Sequence, residues 1–249
     1  MKTGFVRNTV TTRRAQAGVG LVELLVVVLI SLLMLAGLFS IVYGTRQNYL
    51  AQNQLAQLQD SERLAMNLIT SIVQTGGYFP NPTANTLVAA LPASGLFASA
   101  GQAYFGVTVA TGDQLYVRYV AGTNDGVMDC NGNTNGTANP LTNVNLFYVA
   151  NNQLMCQVTA NGVAQVAQPL ANGVTGMTIL YGVNVNNDGN SSAEQYLSAA
   201  AMTPAYWNQV VSLRITLTFA NPLTGQTAPG PGQFAAPTLS RTIDLLNRI

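Results

Sequence analysis

AGVGLVELLVVVLISLLMLAGLFSIVYGTR, Ala17 to Arg46, places a single carboxylate, Glu23, at the edge of an otherwise apolar run. From Leu24 to Tyr43 only Ser31, Gly37 and Ser40 interrupt the apolar character. As a helix rising about 1.5 Å per residue, that stretch spans roughly 30 Å, the thickness of a bilayer core. A surface helix would need a polar face, and this run has none, so it reads as a transmembrane helix. Glu23 is then a cost to be explained. A lone ionised carboxylate costs roughly 2.5–3.5 kcal/mol at a membrane helix centre, and less near an interface.

The residues before the run explain its orientation. Lys2, Arg7, Arg13 and Arg14 precede it with no acid among them, and such a basic head stays on the cytoplasmic side. The carboxyl-terminal part then faces the other way. A secretory signal carries its small-residue cleavage site after the apolar stretch. Here the small-residue segment AQAG (15–18) comes before it. Cutting there removes the cations and leaves the helix attached to the mature protein.

Composition narrows the chemistry. The chain has 249 residues, 48% hydrophobic and only 8% charged, against roughly 25% charged in an average soluble domain. It contains no histidine, which removes the commonest general base, nucleophile partner and metal ligand. Ten cations less the four in the head leave six arginines against nine acids, a mature charge of −3. That balance offers no electrostatic footprint for nucleic acid, so none is expected as a partner. No catalytic constellation stands out, and the chain reads as a non-enzyme.

Gly18 followed by VGLVELLVVVLISLL resembles the type III signal of type IV pilins and type II secretion pseudopilins, a basic leader ending in Gly before an apolar helix with Glu as the fifth mature residue. The resemblance implies cleavage between Gly18 and Val19 by a prepilin peptidase, N-methylation of Val19, and an assembly role for Glu23. Val19 stands where Phe is usual, and Gly20 where Thr or Ser is common. The new ammonium of one subunit could neutralise Glu23 of a neighbour inside a helical bundle. Attraction there is strong, and either charge alone is penalised, so pairing would favour one axial register. Glu23 could instead mark the helix boundary, solvated by headgroups. The segments running from Leu21 to Phe79, DCNGN (129–133), LYGVNVNNDGNSSAEQYL (180–197) and WNQVVSLRITL (207–217) are similar to the minor pilin family PilW.

Beyond the membrane the helix continues. The segment after Tyr43 lacks proline, and Leu50, Leu55, Leu58, Ala65, Leu68, Ile72 and Val73 recur at roughly helical spacing. Gly76 and Gly77 form a natural stop. A helix from Val19 to Thr75 would be some 85 Å long by rise. Residues 78 to 114, rich in Pro and Gly, read as an irregular connector. Strand patterns follow at 115–120, 144–149, 153–158, 176–183 and 210–219, with an edge strand at 239–246. Val211, Leu213, Ile215, Leu217 and Phe219 alternate with polar residues, one face buried and one wet. The Ala150–Asn152 segment reads as a hairpin turn.

The expected architecture is α+β, a long helix packed against one antiparallel β-sheet in the manner of a type IV pilin. Its divisions are a leader at 1–18, a transmembrane or filament-core helix at 19–45, an amphipathic continuation at 46–77, and a β domain at 78–249. Cys130 and Cys156 both fall in the part assigned outside the cytoplasm, where pairing is favoured; two separate buried thiols are the alternative. Asn184, Asn186 and Asp188 alternate before Gly189 in the manner of a calcium loop, but Glu194 falls one place short of the twelfth position. Two of those three side chains are neutral amides, and a plain Asn-Gly-rich turn suits them better. Asp125 and Asp129 present a second acidic loop, and Tyr206 with Trp207 form either a binding surface or a packed sheet edge. The Gly-Pro stretch at 228–234 lacks the Lys and helix of a phosphate cradle.

Taken with the resemblance, these features imply a minor pilin in pilus assembly or initiation, serving adhesion and twitching motility. Its implied partners are a prepilin peptidase, other minor and major pilins and the inner membrane, which it would cross once, with the carboxyl-terminal domain periplasmic before reaching the cell surface. The rivals are a minor pseudopilin of type II secretion and a DNA-uptake pilin. No cofactor is expected unless the 184–194 loop holds calcium.

Overall fold

In a computed structural model the described residues are 20–246, except 187, 189, 191 and 223–235. The leader with Gly18 and Val19, and the 228–234 stretch, lie outside them. Helix α1 runs Leu21–Thr75 without a break. Its hydroxyls do not disturb the helix, because Ser31 Oγ and Thr45 Oγ1 donate to the carbonyls of Val27 and Ile41, four residues back. The chain leaves the helix at Gly76–Gly77, where Gly77 takes a positive φ of 79° that favours glycine.

Residues 51–249 form a compact unit of their own. Within it α1 buries Ala65, Met66, Ile69, Ile72 and Val73. At about 100° per residue these five lie on one face. The stripe expected from sequence is therefore corrected in two respects. Leu68 lies off that face and is half-buried. Leu50 and Leu55 remain 45% and 39% exposed, because the covered length begins only near Leu58.

The connector contributes a short helix, α2 (Leu87–Ala90), capped by Thr86, whose side chain accepts from the Ala89 N–H. The strands are β1 (Tyr104–Val109), β2 (Gly112–Ala121), β3 (Leu141–Ala150), β4 (Gln153–Ala160), β5 (Val163–Ala164), β6 (Gln168–Asn172), β7 (Val174–Val183), β8 (Gln195–Ser198), β9 (Val210–Phe219) and β10 (Thr238–Asp244). The β3–β4 hairpin turns through Asn151 and Asn152, both at positive φ (52° and 56°), the geometry of a tight primed turn.

The expectation of a single sheet is corrected: among the described residues there are two, both antiparallel. One is ordered β1-β2-β3-β4-β5 with β6 also pairing β4; the other is β10-β9-β7-β8. The chain changes sheet at Gly173, which adopts a φ of 80°. Its N–H donates to Asn152 O at the end of the first sheet, and its carbonyl accepts from Ala220 beside the second. One residue thus serves both ladders.

The sheets lock together through three devices. Asp113 on β2, 7% exposed, accepts the Thr108 hydroxyl on one oxygen and the Ile179 N–H of β7 on the other, each at 2.6 Å. Trp207 packs between Phe105 of β1 (ring centroids 5.2 Å apart) and Tyr181 of β7 (4.9 Å, edge-on). Gly106 on β1 leaves room for the fully buried Tyr181 ring.

Arg118 on β2 is 2% exposed. Its fork donates to the carbonyls of Gln102 (2.6 and 3.0 Å), Pro92 (2.8 Å) and Leu91 (3.3 Å), and its carbon stands 4.3 Å over the Phe97 ring. Burial lowers its pKa to about 10, so it stays charged at neutral pH. It clamps the 91–102 segment to the sheet. Arg118→Lys keeps the charge but loses the planar fork. We expect it to cost about 2 kcal/mol and to open 92–101 to protease, read by urea melts and limited proteolysis; unchanged cleavage would contradict the clamp.

Candidate functional site

The first half of α1 presents an extended apolar surface. Large hydrophobics from Leu21 to Tyr43 are 47–78% exposed within the chain. The helix is long and apolar enough to cross a membrane, with a mean hydropathy of 3.0 over its best window. Glu23 lies in its first turn, exposed, with its N–H donating to Gly20 O. A carboxylate there suits the unpaired N–H groups of a helix start. Within α1 no other Asp, Glu, Lys or Arg occurs before Arg46.

Cys130 and Cys156 form a disulfide, with Cα atoms 6.4 Å apart and a sequence separation of 26. It ties the 122–139 loop to β4, assisted by the Cys130 N–H donating to Asn145 Oδ1. Asp125 and Asp129 serve their own turns. Asp125 accepts from the Gly122 and Val127 N–H groups, and Asp129 from those of Asn131 and Asn133. Trp207 belongs to the core between the sheets, and Tyr206 is half-buried beside it.

The 184–194 loop gathers the four residues singled out from sequence. Asn184, 2% exposed, donates from Nδ2 to Asn190 O (2.8 Å), Asp188 Oδ1 (3.1 Å) and Asn190 Oδ1 (3.4 Å). Asn186 Oδ1 accepts from the Asp188 N–H, and Glu194 Oε2 from the Val185 N–H at 2.7 Å. Asn190, central to this network, was not foreseen, though its place two residues after Asp188 continues the alternation. The Asn190 N–H and then the Asn184 carboxamide hold the Asp188 carboxyl below its usual range. Among the described residues no three of His, Cys, Asp and Glu cluster as a metal site; oxygens here come mainly from amides and backbone.

Residues 135–244, which include most of both sheets, match the family model PilW, Type IV Pilus-assembly protein W. This domain is PilW-like. The match supports a minor-pilin role in pilus assembly, in association with other pilins. The PilW-like domain follows a helix long and apolar enough for a membrane anchor. No curated protein matches the chain. Among solved structures it is similar to a type IV-like pilin, TTHA1219, from Thermus thermophilus, at 15% identity and a TM-score of 0.44, covering 76% of this chain and 96% of that one.

Proposed function

We propose that the chain is a minor pilus subunit made as a prepilin, inserted once in the inner membrane with its β domain periplasmic. It is cut between Gly18 and Val19 by a prepilin peptidase, N-methylated on Val19, and docked among other minor and major pilins at the start of assembly. The observation that carries the reading is one continuous helix, α1, whose apolar first half carries a single acid and which leads into a PilW-like domain. Glu23 meets the new amino terminus of a neighbour and sets the axial register. Pairing removes a charge that hydrocarbon would otherwise penalise. Adhesion and twitching motility then depend on the filament it helps to start.

Two variants and one deletion test this. Gly18→Ala is expected to leave an uncut, slower-migrating form, whereas normal maturation would remove the assigned cleavage site. Glu23→Ala is expected to be cut and membrane-bound yet poorly incorporated into pili; wild-type incorporation would assign Glu23 to headgroup solvation instead. Deletion of the gene is expected to abolish surface pili and twitching. Loss of enzyme secretion with normal pili would instead make the chain a pseudopilin. A salt-sensitive gel shift by the purified chain would favour the DNA-uptake reading.

A further inference from the structure

A guanidinium carries five N–H donors. In Arg118, Nε and Nη2 make three hydrogen bonds and Nη1 makes one, all to the carbonyls of Leu91, Pro92 and Gln102. The second N–H of Nη1 therefore has no acceptor among the described residues. None of these partners is a carboxylate, although the side chain is buried and stays charged at neutral pH. A buried charge without a counter-charge is costly. The three carbonyls account for the clamp on the 91–102 segment; they do not balance the charge.

Arg118 also lines a trough of about 640 Å³, within the roughly 300–1,000 Å³ usual for small-ligand sites. The floor is the outer face of β2, β3 and β4. Strand register sets two rows across it, Arg118–Val144–Thr159 and Tyr116–Leu146–Gln157. Each row crosses two strand spacings, roughly 10 Å. The cation thus stands on one side, an apolar strip runs along the middle, and a hydroxyl and an amide stand opposite. One wall is the 94–97 turn, closed by paired backbone bonds between Ser94 and Phe97, with Leu96 exposed at its tip. The Thr142 and Thr159 hydroxyls, which face the trough, make no hydrogen bond to the chain among the described residues.

We propose that this trough binds a saccharide bearing a carboxylate, with the acid on Arg118 Nη1 and the sugar ring over Tyr116, Val144 and Leu146. The proposal does not rest on the pilus reading. An uncompensated guanidinium favours an anionic ligand, which supplies the missing acceptor and the missing charge together. The apolar strip with its aromatic end suits the C–H faces of a sugar ring, and the surrounding hydroxyls and amide suit its edge. An extended peptide is disfavoured. Strands β2, β3 and β4 each have neighbours on both sides, so they offer no ladder for a further strand to join.

The test is calorimetric titration of the full chain in detergent micelles with trigalacturonic acid and with sialyllactose, which carry the carboxylate on different sugars. We expect at least one to bind at a single site with a Kd of about 0.1–1 mM. The methyl ester of the ligand that binds leaves the protein untouched and removes the charge. It should bind at least about tenfold more weakly, the loss of one charge-assisted hydrogen bond. Thr159→Val keeps the β-branched shape, and should weaken binding about three- to tenfold without lowering Tm. Binding of neither acid at 10 mM, equal affinity for the methyl ester, full affinity in Thr159→Val, or equally tight binding of acetylated triglutamate would each overturn the site.

Discussion

Alanine at Gly106 is expected to cost the β domain about 3 kcal/mol and to lower Tm by roughly 6–12 °C. The added methyl would overlap Tyr181 Oη and stand 2.6 Å from Cζ. The ring cannot retreat, since it is fully buried and braced edge-on by Trp207, itself packed on Phe105. Relief therefore requires the two sheets to part. Trp207 is the sole tryptophan, so its fluorescence in a urea titration reports the event directly. Tyr181→Phe removes the overlapping oxygen, which has no hydrogen-bond partner among the described residues. Alone it should be close to neutral, and combined with Gly106→Ala it should restore part of the loss. Gly37→Ala is the control, because nothing lies within 4 Å of its added methyl. A Gly106→Ala protein within 1 kcal/mol of wild type would show that the sheets are not interlocked at this point.

Removing the disulfide should be comparably severe. Closing a segment of 26 residues restricts the unfolded chain by about 3.5 kcal/mol on the chain-entropy account. Cys130→Ser with Cys156→Ser should lose that much and drop Tm by roughly 7–14 °C. The loss should appear mainly as faster opening of the 122–139 loop, measurable by hydrogen exchange. The Asn145 bond to the Cys130 N–H survives the substitution and limits the damage. A loss below 1 kcal/mol would mean that the loop's own turns around Asp125 and Asp129 already hold it.

The sequence announced the parts of this molecule whose signals are local. The apolar run, the paired glycines after Thr75, the alternation of β9 and the two-asparagine turn each depend on residues adjacent in the chain. What it did not announce depends on distant partners. Arg118 sits in LYVRYV where alternation assigns it an outward face, and it is buried because the 91–102 segment folds over it. Asp113 looks like a solvated strand residue until β7 supplies the Ile179 N–H. Gly173 has the look of any turn glycine, and only the pairing of β6 and β7 with different sheets reveals the switch. The 184–194 loop was half visible: its alternating oxygens could be read, but the burial of Asn184 and the part of Asn190 required the fold.

The end of α1 has a mechanical consequence. Tyr104 Oη donates to the carbonyls of Val73 and Gly76, Gly77 donates to Arg118 O, and Val120 donates to Tyr78 O. Tension along the helix axis therefore enters neighbouring strands β1 and β2 side by side rather than through one peptide link. Several bonds must break together before the domain can be peeled from its stalk, so rupture force should scale with the number of these shackles rather than with the stability of any one.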